Sequence, residues 1–247
     1  MKKVIVIPAR LDSSRLPKKI LLDLKGKTVI QRVYEQCLQV KNIDAVYIAT
    51  DSEEIKEVCQ AFTKNVIITK STHQSGTDRI GEAVENIDCD VVINVQGDEP
   101  FIDPKLIEEL VSSFENTETP MASAMSRIYD FKDLKNSNVV KVTVDKLSNA
   151  LYFSRSPIPF PRDNNEVFES NLVLKNYTFY RHIGLYGYRK DFLLRYIKMN
   201  QSYLEKVEKL EQLRVLENGF KIKMIETESS VIGIDTLEDY KEALKKF

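Results

Sequence analysis

Asp98 lies in the run Asn94-Val95-Gln96-Gly97-Asp98-Glu99-Pro100, directly after the stretch Asp90-Val91-Val92-Ile93. A short apolar run of this kind reads as a buried parallel strand. Asp103-Pro104 follows as a helix start, with Asp as cap and Pro at the first helical position. Asp98 is thereby placed just past the carboxyl end of a strand, where open α/β sheets bind ligands. Gly97 permits a tight turn there, and a carboxylate in that place suits a hard cation such as Mg²⁺. The plainer alternative is a polar turn. Asp235, in Ile232-Gly233-Ile234-Asp235, repeats the pattern far along the chain. If the two strand ends meet, both carboxylates can share one cation, with phosphate oxygens and water completing its shell. Asp235 otherwise caps the helix that follows.

A second group of residues is basic. Pro8-Ala9-Arg10-Leu11-Asp12-Ser13-Ser14-Arg15-Leu16-Pro17-Lys18-Lys19 puts two Arg and two Lys into one loop after the first strand. Guanidinium forks match phosphate geometry, and lysine adds point charge. The loop lacks the G-x-x-x-x-G-K-[ST] pattern of a P-loop; a solvated basic loop is the alternative to phosphate binding. In His73-Gln74-Ser75-Gly76-Thr77-Asp78-Arg79, small polar residues around Gly76 can offer N–H groups to an anion or a base edge. Asp78 there reads more simply as a helix cap. In Tyr180-Arg181-His182-Ile183-Gly184-Leu185-Tyr186-Gly187-Tyr188-Arg189, polar and apolar residues alternate at strand period. Gly184 and Gly187 leave room for a ligand beside His182. Over Leu204–Glu217, Leu204, Val207, Leu210 and Leu213 predict the buried stripe of one helix. Glu208, Glu211 and Gln212 then share an adjacent face, whose usual meaning is solvation.

The elements that must position these residues alternate in the first half. Strands are expected at Val4–Ile7, Ala45–Ala49, Val66–Thr69 and up to Ile93. Between them come a helix opened by the capping box Thr28-x-x-Gln31 and running to about Val40, one capped by Thr50–Glu54, and one near Asp78–Ile87. Such alternation implies βαβ units and a parallel sheet. The middle reads as strands at Met121–Arg127, Val139–Val144 and Ala150–Phe153. Ser156–Pro161 is too rich in proline for a helix interior, Arg162–Lys175 reads as a polar mobile loop, and Phe179–Tyr188 returns to strand. A helical stretch follows, then a second opened by Ser202-x-x-Glu205 and stopped by Gly219. Strand Lys221–Thr227 and a helix from Thr236-x-x-Asp239 end the chain. The fold class is α/β: a Rossmann-like, mostly parallel sheet carrying an antiparallel β insertion.

The 247 residues suffice for one large α/β domain or a domain with an insertion. A formal net charge of −1 gives no electrostatic case for nucleic acid or anionic membrane. Cys37, Cys59 and Cys89 are odd in number and form no C-x-x-C, which argues against a disulfide framework or zinc site and fits a reducing cytosol. No segment approaches the roughly 20 apolar residues of a membrane span. Met1–Ile7 reads straight into a strand, too short for a secretory signal and ended by Pro8.

IPARLDSSRLPKK, ATD, HQSGTDR, NVQGDEP, ALYFSRSPIP, RHIGLYGYR, LEKVEKLEQLRVLENG and GIDTLEDY occur in this order. In this the chain resembles the 3-deoxy-manno-octulosonate cytidylyltransferases, or CMP-KDO synthetases, over essentially its whole length. Its match to the CMP-sialic acid synthetases is limited to the general plan and first loop. The resemblance implies the nucleotide-diphospho-sugar transferase type of sheet. One domain, 1–247, would divide into a nucleotide-binding part (about 1–120 and 220–247) and a sugar-binding and dimerisation insertion (about 121–219). It implies the reaction CTP plus KDO to CMP-KDO and pyrophosphate, in lipopolysaccharide synthesis, by a cytoplasmic homodimer. Arg10, Arg15 and Lys19 would clamp the triphosphate and, with Asp98, form the catalytic set. Ala9, Gln74 and Ser75 would join these at the nucleotide, and Asp98 and Asp235 would hold Mg²⁺. Gln96, Arg155, His182, Tyr186, Glu211 and Gln212 match the sugar-binding positions, with Arg155 suited to the KDO carboxylate. One departure is Lys18, where the family often has Gly.

Two other functions remain at this point. The substrate is another ulosonic acid, such as 8-amino-KDO or a sialic-type sugar, or the chain is a catalytically dead nucleotide-sugar sensor. The acids and arginines argue against the sensor, which has no need of a metal pair.

Overall fold

Val4, Ile5, Val6 and Ile7 are all buried, so strand β1 (Lys3–Ala9) is covered on both faces. That is the signature of a central parallel strand. The computed structural model describes residues 1–11, 15–73, 75–115, 118–162, 171–229 and 233–246. They fall into two units. Met1–Ser112, Leu185–Ile197 and Val231–Phe247 form the first, and Ser113–Gly184 and Lys198–Ser230 the second.

In the first unit, β1 leads to helix α1 (Val29–Cys37), whose Thr28 hydroxyl accepts the Gln31 N–H at 3.3 Å. The capping box is half made: the Gln31 side chain turns to Glu35 instead. The helix ends at Cys37, before the expected Val40. Strand β2 (Ala45–Thr50), helix α2 (Glu53–Gln60) with Ser52 as cap, and strand β3 (Val66–Ile68) follow. Helix α3 (Gly76–Val84) is capped by Ser75, whose hydroxyl accepts the Asp78 N–H at 3.1 Å. The cap is thus Ser75 and not Asp78, which sits a turn inside. Strand β4 (Val91–Asn94) and helix α4 (Pro104–Ser112) close the alternating run. β1 pairs in parallel with β2 and β4, and β2 with β3. Their carboxyl ends therefore lie on one edge.

The second unit begins with β5 (Met121–Arg127), a short helix α5 (Phe131–Lys135), and the antiparallel pair β6 (Lys141–Val144) and β7 (Ala150–Ser154). Residues 163–170 of the expected polar loop lie outside the described residues. Its end is ordered differently, as helix α6 (Leu172–Asn176), because Val173 is buried in a cluster with Ile128, Leu134 and Phe179. Strand β8 (Tyr180–Arg189) pairs antiparallel with β6 through Tyr180 and Arg181 and with β4 through Tyr186–Arg189. Helix α7 (Lys190–Tyr196) then belongs to the first unit.

The expected single helix over 204–217 is two helices, α8 (Tyr203–Glu208) and α9 (Leu213–Glu217). Lys209 breaks it with φ of 55°. The buried Glu205–Arg214 pair, bonded at 2.8 and 2.6 Å, joins the two pieces. Val207, assigned to the buried stripe, is 62% exposed, whereas Gln212, assigned to a solvated face, is 4% exposed. Strand β9 (Ile222–Glu226) pairs in parallel with β5 in the second unit. Helix α10 (Leu237–Lys246) packs its Ala243 with Leu24, Val29 and Ile234 of the first.

Candidate active site

At the carboxyl ends of β1 and β4 the first unit gathers four charged side chains from three stretches of sequence. Lys19 Nζ bonds the Asp98 carboxylate and lies 2.7 Å from Asp235 Oδ1. Arg15 Nη2 reaches the same Asp235 oxygen at 3.0 Å. The two acids do meet. Asp98 stands on the turn after β4, where Gly97 is required by close approach: a Cβ there would lie 3.0 Å from the Pro8 carbonyl of β1. Asp235 is not preceded by a strand among the described residues. It is held instead by the Ile234 N–H, which donates to the Asp98 carbonyl at 2.8 Å. Asp235 is no simple cap either. Asp239 takes the N–H groups of Asp235 and Thr236 at 3.1 and 2.8 Å at the start of α10, and the Asp235 carboxylate is left to the basic side chains.

Burial alone would lower the Lys19 ammonium, but Asp98 and Asp235 outweigh it and hold its pKa above the ordinary lysine value. Glu99, beside them, is pushed up to about 8 by burial, with Asp98 and Asp235 adding to it. Its buried Oε2 has no partner among the described residues. No cluster of three or more metal-ligating side chains occurs among the described residues. Asp98 and Asp235 are hard oxygen donors drawn around one cationic atom. That donor pair fits a cation such as Mg²⁺ that takes its other ligands from phosphate and water.

The two lysines of the loop part company. Lys18 adopts φ of 54° and turns its ammonium to Glu54 at 2.7 Å, away from the acid pair. The left-handed backbone explains a glycine preference at this position. Lys18→Gly is expected to keep full activity, with stability changed by no more than about 1 kcal/mol, because relief of backbone strain offsets the greater chain entropy of glycine. Lys19→Met should lose most turnover. Steady-state rates and melting curves of the two variants check both outcomes; an active Lys19→Met would remove that residue from the site.

Beside the charged cluster lies a cavity of about 210 Å³, walled by Ala9, Arg10, His73, Ser75, Arg79 and Gln96 among others. A smaller one of about 120 Å³ shares Arg10 and Gln96 and reaches Lys19 and Asp98. Ala9, Arg10, Lys19, Ser75, Gln96 and Asp98 are thus brought together. Gln74 lies outside the described residues. Sequence reasoning missed Arg79, a buried wall residue held by Asp51 at 2.8 Å and Thr69 at 2.7 Å. The signal was present: Asp51 follows β2 as Asp98 follows β4. His73 was also passed over; it is pinned by Glu82, whose carboxyl is held low chiefly by that bond.

The residues matched to sugar-binding positions are divided between the units. Gln96 and Tyr186, the latter stacked on Tyr188 at 6.1 Å, belong to the first. Arg155, His182, Glu211 and Gln212 belong to the second. There Phe153, two residues before Arg155, sets its ring edge against His182 at 5.0 Å. His182 Nε2 lies 2.9 Å from Ser123 Oγ. A Cβ on Gly184 would meet nothing within 4 Å, so that glycine leaves open space. Glu211 is half-buried and Gln212 buried at the start of α9.

Burial pushes the His182 imidazole down to about 3, so it is neutral at physiological pH and offers a hydrogen bond without charge. The unfolded chain takes up that proton near the ordinary histidine value and the folded chain only near 3. Stability is therefore present above about 6.5 and falls as pH drops toward 3. His182→Gln is expected to flatten part of this acid slope in melting temperature against pH. An unchanged slope would show that His182 is charged or exposed in the fold.

The cytidylyltransferase family pattern matches residues 4–224. The 3-deoxy-manno-octulosonate cytidylyltransferase of Geobacter metallireducens is 44% identical over 100% of this chain and 98% of its own. That of Francisella tularensis subsp. holarctica (strain FTNF002-00 / FTA) is 47% identical over 98% and 97%. Among solved structures, a CMP:2-keto-3-deoxy-manno-octonic acid synthetase complexed with CTP superposes with a TM-score of 0.92 at 39% identity, covering 100% of this chain and 98% of that one. A 4-diphosphocytidyl-2C-methyl-D-erythritol synthase from Anaerococcus prevotii shares the fold alone, at 16% identity and TM-score 0.63. With identity this high over the full length of the relatives, the chain belongs to the 3-deoxy-manno-octulosonate cytidylyltransferase family.

Proposed function

We propose that this chain joins CTP and KDO to give CMP-KDO and pyrophosphate. The observation that carries the reading is the meeting of Arg15, Lys19, Asp98 and Asp235 beside a cavity lined by Arg10, Ser75 and Arg79. The likeness to a synthetase complexed with CTP supports it. The names of the relatives favour KDO over 8-amino-KDO or a sialic-type sugar.

The anomeric hydroxyl of the sugar attacks the α-phosphorus in line with the departing pyrophosphate. An oxygen–phosphorus bond forms, the bond from the α-phosphorus to the bridging oxygen breaks with its electron pair leaving on pyrophosphate, and the hydroxyl proton passes to water. Charge gathers on phosphate oxygens, so positioning and electrostatic clamping carry the reaction. Arg10, Arg15 and Lys19 supply the clamp, with Arg15 and Lys19 drawn from their acid partners toward the triphosphate. Asp98 and Asp235 would hold Mg²⁺, which would supply positive charge to the phosphate oxygens and acidify the attacking hydroxyl. Ser75 and Arg79 offer donors to the nucleotide base. The family match assigns the sugar to Gln96 and Tyr186 of the first unit and to Arg155, His182, Glu211 and Gln212 of the second; the amide and acid side chains suit hydroxyls, neutral His182 suits an uncharged contact, and Arg155 suits the carboxylate.

A role in lipopolysaccharide synthesis and a cytoplasmic location accompany this reading. Among the described residues no helix is long and apolar enough to cross a membrane. A homodimer formed through the second unit also belongs to this reading, by the family resemblance. Sedimentation of the purified chain tests it.

The test of function is pyrophosphate release with CTP, UTP, ATP and GTP against a panel of ulosonic acids. CTP with KDO is expected to turn over far faster than any other pair. Comparable rates with UTP or ATP, or a preference for an amino-substituted or sialic-type acid, would overturn the assignment.

A further inference from the structure

Arg155 is anchored through all three nitrogens of its side chain, and each contact is a main-chain carbonyl of the second unit. Nε donates to Glu208 at 2.7 Å, Nη1 to Ser137 at 2.9 Å and Nη2 to Lys209 at 3.4 Å. A guanidinium carries five N–H groups. These bonds use one on each nitrogen and leave one on each terminal nitrogen, the number that a two-toothed carboxylate contact requires.

Glu208 grips the same residue a second time. Its Oε2 accepts the Arg155 main-chain N–H at 3.0 Å, and its Oε1 accepts the Ser154 hydroxyl at 2.6 Å. The Glu208 side chain therefore fixes the end of β7 while its carbonyl fixes the guanidinium plane. Both carboxylate oxygens are engaged, one by Arg155 and the other by the preceding Ser154. The break at Lys209 is what permits this: it ends α8 with the Glu208 and Lys209 carbonyls unspent on the helix and aimed at Arg155.

The charge around this corner is positive on balance. Lys141 of β6, paired in register with Ser154, is fully buried, its ammonium on the carbonyls of Asn136 at 3.0 Å and Val139 at 2.6 Å. One turn, 136–139, thus serves both cations. Two cations surround one anion, and the surplus suits an acid ligand.

We propose that the Glu208 carboxylate is a positioning group for sugar recognition: by holding the Arg155 main-chain N–H and the Ser154 hydroxyl it fixes where the Arg155 side chain starts, so that the remaining N–H groups of its guanidinium meet the carboxylate of KDO. The inference rests on the reading of Arg155 as the carboxylate contact. A preset fork binds better because its side chain is not ordered at the expense of binding.

The experiment is steady-state pyrophosphate release by the full chain, with KDO varied at saturating CTP and CTP varied at saturating KDO. The variants are Glu208→Ala, Glu208→Gln, Arg155→Ala and the double alanine, with melting curves. Glu208→Ala is expected to raise the KM for KDO about tenfold, on the scale of one lost charge-assisted bond, with the KM for CTP and kcat within about twofold. Glu208→Gln, which keeps the shape but turns an amide N–H₂ toward one of the donors, should fall between. In the Arg155→Ala background, removing Glu208 should add less than about twofold, because the two act as a unit.

If Arg155→Ala raises the KM for KDO and neither Glu208 variant does, the positioning role is overturned while the reading of Arg155 stands. Multiplication of the two losses in the double variant also overturns it. An unchanged KM for KDO in Arg155→Ala sinks the reading of Arg155 and the inference with it. Should Glu208→Ala fail to fold, the glutamine variant decides alone: a rise specific to KDO supports the role, and an unchanged KM refutes it.

Discussion

Asp98→Asn lowers kcat by about a thousandfold or more and leaves the fold intact; this is the largest effect expected from any single substitution. The carboxylate touches Lys19 in the first unit and, with Asp235, makes the hard-oxygen pair that suits Mg²⁺. Losing the charge that a metal brings to a phosphoryl group forfeits several kcal/mol of stabilisation, and each 1.36 kcal/mol is about tenfold in rate. Asn preserves shape, and Asp98 caps no helix, so a purely structural role predicts near-normal turnover. Asp235→Asn should behave likewise but less severely, since Asp235 is more open and shares Arg15, whereas Asp98 sits on the tight turn after β4. Three measurements decide the matter for each variant. They are rate against Mg²⁺ concentration, binding of Mn²⁺ in the presence of CTP, and a melting curve. Normal Mn²⁺ binding with normal turnover in Asp98→Asn would remove the metal from these residues.

Arg155→Ala raises the KM for KDO by about ten- to a hundredfold, the scale of a lost hydrogen bond between charged groups, and leaves the KM for CTP nearly unchanged. Its guanidinium sits among second-unit carbonyls, while the cavity assigned to the nucleotide is lined by first-unit residues alone. Arg155 also ties β7 to α8 and to the turn at Ser137, so some loss of melting temperature is expected as well. Arg155→Lys separates the two effects. Lysine keeps the charge but not the fork, so it should restore little of the KDO affinity. A variant that kept its KDO affinity and lost CTP would place Arg155 with the nucleotide instead.

Much of this was legible in the chain itself. The apolar runs that become β1 and β4 read as buried strands, the run of β2 as a further strand, and Thr28 and Thr50–Glu54 as helix starts. Those readings put Asp98 and the basic loop at strand ends of a parallel sheet, and the pairing of β1 with β2 and β4 sets both on one edge. The motifs from the first loop to GIDTLEDY carried the family with them.

What the chain did not disclose were features decided by contacts distant in sequence. A leucine pattern over 204–217 has the right period for one helix, but the Glu205–Arg214 pair and the left-handed Lys209 fold it into two. That break buries Gln212 and turns Glu208 from a solvated acid into the support of Arg155. Composition and spacing did not separate the two lysines either; the family resemblance alone favoured Lys19. Lys18 and Lys19 are chemically equal, and only the backbone angle at Lys18 sends one to Glu54 and the other to Asp98 and Asp235. Local pattern determined the central strands and the presence of the helices between them, because these depend on neighbours in sequence. Tertiary structure alone decided the partner of each charge, because a charged side chain at a helix or strand end takes whichever distant group the packing brings within a few ångströms.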